Sequence, residues 1–118
     1  IYACVNGSFE VCKILLGQKS IQINFQNYSP IHAALSNSHF HIIRLLCERD
    51  DIDLNVTDND GSTPLHYAIL NNDTETVKML LTSKNKQGLY QVEINRKNRI
   101  FFYIFFLNSL DSSLSFFL

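Results

Sequence analysis

The sequence predicts an all-α fold in which short helix–turn–helix units stack as a two-layer solenoid. Two observations lead to this prediction. The first is a capped turn, Gly61-Ser62-Thr63-Pro64-Leu65-His66, which returns in weaker form as Tyr28-Ser29-Pro30-Ile31-His32. The second is internal similarity, because residues 31–47 align without a gap on residues 65–81, and residues 1–16 align on residues 32–47. Self-similarity at a period of this length is typical of repeat proteins.

The capped turn has the chemistry of a helix start. Gly61 tolerates the positive φ angle that a tight turn requires. The Thr63 hydroxyl can accept a hydrogen bond from a free N–H of the first helical turn. Pro64 suits the first helical position, where the N–H that it lacks would have no intrahelical partner. Leu65 then begins the apolar face, and in the upstream copy Ser29 replaces threonine as the cap.

Each copy has the same internal order. A short helix of small and apolar residues is followed by two residues that accept left-handed or turn geometry, and then by a second, amphipathic helix. The turn pairs are Asn6-Gly7, Asn37-Ser38 and Asn71-Asn72. Apolar residues at helical spacing predict the buried face of each second helix. These are Val11, Ile14 and Leu15 in the first copy, Ile42, Leu45 and Leu46 in the second, and Val77, Leu80 and Leu81 in the third.

Alternating stretches that end in asparagine follow each second helix, at residues 21–24, 52–55 and 92–95. The alternation predicts an extended segment with one buried face. Residues 56–63 then predict a hairpin-like turn. The equivalent segment before Pro30 is shorter and lacks the glycine, so we expect that turn to be irregular.

A unit of about 33 residues with a turn, two helices and a Thr-Pro-Leu-His motif resembles the ankyrin repeat. The resemblance covers residues 1 to about 95 and is strongest at residues 63–66. It implies helices in two layers, with turns that project from one edge and form a concave surface. It also implies a structural role for the two copies of the motif, in which the histidine ties one turn to the next. The motif residues are Ser29, Pro30, His32, Thr63, Pro64, Leu65 and His66.

The predicted repeats span residues 1–24, 25–55 and 56–95, and they depart from the family pattern at both ends. The first repeat begins at the position of the motif histidine, so we expect it to lack its turn and cap. The third carries extra polar residues within 82–91, which predict a surface loop. Residues 96–118 form an apolar tail without the motif. The tail is open to three interpretations: a degenerate fourth repeat, a segment that packs over the third repeat, or a membrane anchor at 100–118.

Bulk composition narrows the function classes. The chain has 118 residues, 46% hydrophobic and 18% charged, which fits one ordered globular domain. The net charge of −1 argues against binding to nucleic acid or to a membrane surface. Three widely spaced cysteines favour free thiols in a reducing compartment, so we expect a cytoplasmic location, with the nucleus as the alternative. No charged segment precedes an apolar run at the start, and we expect no signal peptide.

No group of residues predicts catalysis, a metal site or a cofactor. His39 and His41 lie two positions apart and do not share a helix face, so we expect both to face solvent. The cysteines, Cys4, Cys12 and Cys47, fall on apolar positions of the repeat alignment, which predicts buried thiols. The acidic turn at residues 58–61 lacks the terminal glutamate of a calcium-binding loop. We therefore expect a protein that is not an enzyme.

The resemblance implies partner binding by the turn tips and by exposed positions of the first helices. Carried over by position, the candidates are Tyr28, Ser36, Asn37, Asn59, Asp60, Ser62, Leu70 and Asn71, with Val5 and Asn6 in the first repeat. Tyr28 is the expected anchor, because aromatic side chains contribute much of the energy of interfaces. We expect a monomeric module that binds another protein. Two alternatives stay open: a structural spacer or regulatory segment of a larger enzyme or channel, and a scaffold tethered to a membrane through residues 100–118.

Overall fold

The computed structural model of the chain describes residues 1–83. Six helices lie in this range: α1 (Tyr2–Asn6), α2 (Phe9–Leu16), α3 (Pro30–Ser36), α4 (Phe40–Cys47), α5 (Pro64–Leu70) and α6 (Thr74–Thr82). Residues 1–83 contain no strand, and one isolated bridge joins Asn27 to Asp58. The predicted all-α class is confirmed for this part of the chain. The end of the third repeat, most of the loop predicted within 82–91 and the tail at 96–118 lie outside the described residues.

The turn within each unit is the same left-handed structure in all three copies. The φ angle is +72° at Gly7, +56° at Ser38 and +55° at Asn72. The residue after each of these donates its backbone N–H to the carbonyl five positions earlier, at 3.0, 2.9 and 3.1 Å in chain order. This is the Schellman bond that closes a helix end. The three predicted turn positions are therefore confirmed, and serine and asparagine adopt the geometry that glycine adopts in the first copy.

The helices form two layers. In one layer, α3 packs between α1 and α5, and in the other layer α2 packs against α4. Within each unit the first helix also packs against the second. Ala33, Ala34 and Ala68 are completely buried, and their small side chains let the helices approach closely. The core therefore lies between the layers and is centred on the second unit.

The predicted apolar face of the first unit was wrong. Val11, Ile14 and Leu15 are 49%, 68% and 41% exposed. These three residues lie on α2, the second helix of the first unit. No described element packs on the outer side of α2, whereas α4 has α2 packed against it. For that reason Ile42 and Leu46, which are the repeat equivalents of Val11 and Leu15, are buried. Ile1 and Tyr2 are exposed as well. We call the five exposed residues the N-terminal face: Ile1, Tyr2, Val11, Ile14 and Leu15.

Arg49 joins the first unit to the second. Its guanidinium donates to the carbonyls of Leu16 at 3.3 Å and Ile21 at 3.1 Å, both in the segment that ends and follows α2. It also forms a two-pronged pair with the Asp51 carboxylate, at 2.8 and 2.6 Å, which raises the pKa of Arg49. The planar guanidinium suits this task because its fixed donors reach several carbonyls at once. The contact fixes the position of the segment that leads to Tyr28.

Candidate functional site

The segments between units project from the stack and are called fingers here: the first finger is residues 17–29 and the second is residues 48–63. The tip of the second finger is held from inside by Asp58. One carboxylate oxygen accepts from the backbone N–H groups of Asp60 and Ser62, each at 2.9 Å. Gly61 has a φ angle of +79° and opens the turn as predicted. Asn59 and Asp60 are thereby presented to solvent on an ordered loop.

The two motif copies begin α3 and α5. Thr63 is the cap of α5, and its hydroxyl accepts from the His66 N–H at 3.4 Å. The His66 ring returns the interaction, since its Nδ1 accepts from the Thr63 N–H at 3.0 Å. Ser29 caps α3, and its hydroxyl also accepts from Phe25 N at 2.8 Å and donates to the Phe25 carbonyl at 2.6 Å. The serine thus closes the short first finger. Pro30, Pro64 and Leu65 are buried at the helix starts.

His32 connects the first motif to the second finger. Its Nδ1 accepts from the Ser29 N–H at 3.1 Å, and its Nε2 lies 3.0 Å from the Ser62 carbonyl oxygen. Because Nδ1 is an acceptor, the hydrogen of the neutral ring must be on Nε2, which donates to Ser62. The ring is completely buried, and burial lowers the pKa of His32. The neutral ring therefore joins the second unit to the third.

An aromatic cluster surrounds His32 at the base of the fingers. Tyr28 stacks on the imidazole at a centroid distance of 5.9 Å, and the Tyr67 ring packs against it at 5.1 Å with an interplanar angle of 59°. The Tyr67 hydroxyl donates to Asp58 at 2.5 Å, through the carboxylate oxygen that the finger backbone does not use. We call Tyr28, His32, Asp58 and Tyr67 the finger cluster. It places two phenol rings and one carboxylate at the edge where the fingers meet the first helices.

The ionisation of the finger cluster follows from its contacts. The hydrogen bond from Tyr67 lowers the pKa of Asp58, so the carboxylate is charged at neutral pH. Burial first, and then Asp58, raises the pKa of Tyr67 to about 12, so its phenol keeps the proton that it donates. The cluster is therefore a fixed arrangement of one anion, neutral rings and ordered hydrogen bonds.

The candidates drawn from the sequence lie in the fingers and at the ends of the first helices. Tyr28 is 37% exposed and Leu70 is 76% exposed. Ser36, Asn37, Asn59, Asp60 and Asn71 are exposed, as are Val5 and Asn6 in the first unit, whereas Ser62 is half-buried. Two of the amides also have structural contacts, since Asn37 donates to Ala33 and Asn71 donates to Leu35, each at 2.8 Å.

Sequence reasoning missed Asp58 and Tyr67 as a pair, as well as His39. The available signal was weak: an acidic residue in a finger and a tyrosine just after the motif histidine. His39 was expected to face solvent, which was wrong, because its Nε2 lies 3.0 Å from the Val5 carbonyl. His41 is exposed, as expected.

The second finger is acidic. It carries Asp50, Asp51, Asp53, Asp58 and Asp60, and Arg49 is the only lysine or arginine between residues 45 and 77. Since Arg49 is paired with Asp51, the charge that the second finger itself contributes is negative.

An apolar cleft of about 350 Å³ opens beside the N-terminal face. Its lining includes Cys4 and Cys12, whose Sγ atoms are 3.9 Å apart. Both thiols are buried as predicted, and Cys47 is half-buried. Burial, strengthened by the Cys12 thiol, raises the pKa of Cys4 to about 12, and burial also raises the pKa of Cys47 to about 12. All three cysteines are free.

Residues 1–83 contain neither a candidate metal site nor a helix that could span a membrane. Within this range, no three histidine, cysteine, aspartate or glutamate side chains lie close enough together to hold a metal ion. None of the six helices has the length and apolar character needed to cross a bilayer.

The chain matches a protein-family profile. The profile described as ankyrin repeats, in three copies, matches residues 1–98. An ankyrin repeat protein of Fowlpox virus (strain NVSL) is 39% identical over 80 residues, which cover 68% of this chain and 19% of the viral protein.

Longer animal proteins match as well. Human Rabankyrin-5 is 31% identical over 98 residues, which cover 83% of this chain and 8% of that protein. Alpha-latrotoxin-Lhe1a of Latrodectus hesperus is 37% identical over 59 residues, or 47% of this chain and 4% of the toxin. The chain thus spans a small part of these relatives. No solved structure matches it.

Proposed function

Because the chain belongs to the ankyrin repeat family, we propose that it binds a segment of another protein across its fingers and first helices. Ankyrin repeats are generally protein–protein interaction modules, and the family is typically non-catalytic. The observation that carries the finer proposal is the finger cluster. Its hydrogen bonds order the recognition edge before any partner arrives, which lowers the entropy that binding has to overcome.

Tyr28 is proposed as the anchor of the interaction. Its ring is fixed on one side by His32 and remains 37% exposed on the other. A rigid, half-exposed tyrosine offers a large apolar area and a polar hydroxyl with few torsions to restrict. The further contacts that we propose are Ser36, Asn37, Asn59, Asp60, Ser62, Leu70 and Asn71.

The charge of the second finger suggests the chemistry of the partner. Asp58 and Asp60 lie within the finger tip, and no free cation of residues 45–77 balances them. A lysine- or arginine-containing segment would gain favourable electrostatic steering along this edge. The partner that we propose is therefore a basic peptide segment with an apolar or aromatic side chain for Tyr28.

The organisation of the chain is proposed on the same basis. We retain repeats at residues 1–24, 25–55 and 56–95, with residues 96–118 as a separate tail. A monomer in the cytoplasm is the state that we propose for the module, since its three cysteines are free.

The test uses the full chain, immobilised and screened with a displayed library of random peptides. We expect enrichment of peptides rich in lysine and arginine. Tyr28→Ala should weaken their binding about tenfold or more, as for an interface anchor. Asp60→Asn should weaken binding less and reduce its dependence on salt.

Glu75→Gln is the matched control, because Glu75 is an exposed carboxylate on α6 and is not among the proposed contact residues. It should leave binding unchanged, and circular dichroism should show that every variant is folded. The face assignment would be refuted if the peptides bind Tyr28→Ala and Asp60→Asn with the same affinity as the native chain. Failure to enrich any peptide would favour the structural spacer instead.

A further inference from the structure

We propose that Cys4 and Cys12 form a dithiol that closes to an intramolecular disulfide when it meets a low-molecular-weight disulfide such as oxidised glutathione. Cys4 lies in α1 and Cys12 in α2, the two paired helices of the first unit. Their Sγ atoms are 3.9 Å apart and contact each other directly. A disulfide requires a separation of about 2.0 Å, so closure needs a shift of only about 2 Å shared between two side chains.

The surroundings of the dithiol allow this movement. Both thiols line the 350 Å³ apolar cleft beside the N-terminal face, so one side of each faces open volume and not packed core. The α1 helix has only five residues and its N-cap makes no side-chain hydrogen bond. Short, weakly capped helices open at low cost in free energy. Opening of α1 would bring the oxidant to thiols that are 5% and 2% exposed in the closed state.

The exchange balances as two displacements. Once α1 has opened and water reaches the thiols, one of them loses its proton, and its thiolate attacks a sulfur of the low-molecular-weight disulfide, which releases one low-molecular-weight thiolate that takes up a proton. The second cysteine then gives up its proton and attacks the sulfur of the first cysteine in this mixed disulfide. The other low-molecular-weight thiolate leaves and takes up that proton. Two protein thiols are oxidised, and one disulfide is reduced to two thiols.

The fold itself provides the driving force. Because it holds the two sulfurs together, the folded chain should form the disulfide more readily than the unfolded chain. By thermodynamic linkage, the disulfide then stabilises the folded chain by the same factor. Closure would tie α1 to α2 and make the wall of the cleft rigid.

The test equilibrates the full chain in buffers of graded oxidised-to-reduced glutathione ratio, both folded and in concentrated urea. The fraction of closed disulfide is measured by mass spectrometry after free thiols are trapped. Cleavage at Glu10 separates Cys4 from Cys12, so the closed form gives two peptides that stay joined until they are reduced. We expect half of the folded chain to carry the disulfide at an oxidised-to-reduced glutathione ratio at least about tenfold lower than the ratio needed in urea.

Two variants sharpen the result. Cys47→Ser removes the third thiol and should leave the glutathione ratio for half-oxidation unchanged. Cys12→Ser should abolish the joined peptides. The oxidised chain should also melt at a higher temperature than the reduced chain. Equal ratios in the folded and unfolded chains, glutathione left attached to either cysteine, or disulfides that join two chains would each overturn the proposal.

Discussion

Acidification from about pH 7 to about pH 5.5 is expected to destabilise the fold through two histidines. Burial lowers the pKa of both His32 and His66 in the folded chain. In each ring, Nδ1 already accepts a backbone N–H, so a second ring proton would face a donor. The folded state thus resists the proton that the unfolded chain accepts.

The sign and size of the change in stability follow from the difference in bound protons between the folded and the unfolded chain. Unfolded histidine has a pKa of about 6.5, so below that pH the unfolded chain binds protons that the folded chain excludes, and stability falls as the pH falls. For a histidine that stays neutral when folded, the loss between about pH 7 and about pH 5.5 is about 1.3 kcal/mol. The two histidines together set an upper limit of about 2.5 kcal/mol, a large share of the 5–15 kcal/mol of a typical domain.

The assay is urea unfolding of the full chain at the two pH values, followed by circular dichroism. His32→Gln should lower stability at both values and reduce the pH-dependent loss by up to half. His41→Gln, at an exposed position, is the matched control for removal of a histidine. NMR titration of His32 in the native chain provides an independent measurement if the variant does not fold. Equal stability at both pH values, or the full pH-dependent loss of the native chain in His32→Gln, would contradict this expectation.

Two further substitutions test contacts that hold the units in place. Arg49→Ala should lower the free energy of unfolding by about 1–2 kcal/mol, since several carbonyls of the first finger lose a charged donor. Thermal melts should show no comparable effect for the exposed Arg44→Ala, and equal losses would remove the special role of Arg49. Gly7→Ala should cost more than Gly61→Ala, although both glycines have positive φ angles. A Cβ at Gly7 would lie 2.6 Å from the His39 ring, whereas Gly61 faces open space, so we expect about 2 kcal/mol or more against about 1 kcal/mol in urea titrations. A larger loss at Gly61 would contradict this account.

The sequence was sufficient for features that depend on near neighbours. Thr63, Pro64 and Gly61 determine a helix start through contacts within a few positions, and the structure places that start where they predict it. The left-handed turns at Gly7 and Ser38 were predictable for the same reason. Repetition supplied the rest of the architecture, because similar units can bury their apolar faces only against one another.

Features that depend on distant segments were not predictable. The partnership of Asp58 and Tyr67 requires the finger to fold back on the helix that follows it. Arg49 reaches carbonyls about thirty positions away, and no local pattern indicates which ones. The exposure of Val11 was missed because helical spacing identifies an apolar face but does not say whether a neighbour covers it.

The bond from His32 to Ser62 bears on how the protein can be cut into pieces. A truncation after Asn55, where the sequence repeat ends, would remove the acceptor of a buried ring nitrogen while keeping the ring. A cut that keeps this hydrogen bond must fall after Ser62, inside what the sequence numbers as the next repeat. The unit defined by this hydrogen bond is therefore out of phase with the sequence period, so a truncation of this chain should follow the hydrogen bonds and not the repeat boundaries.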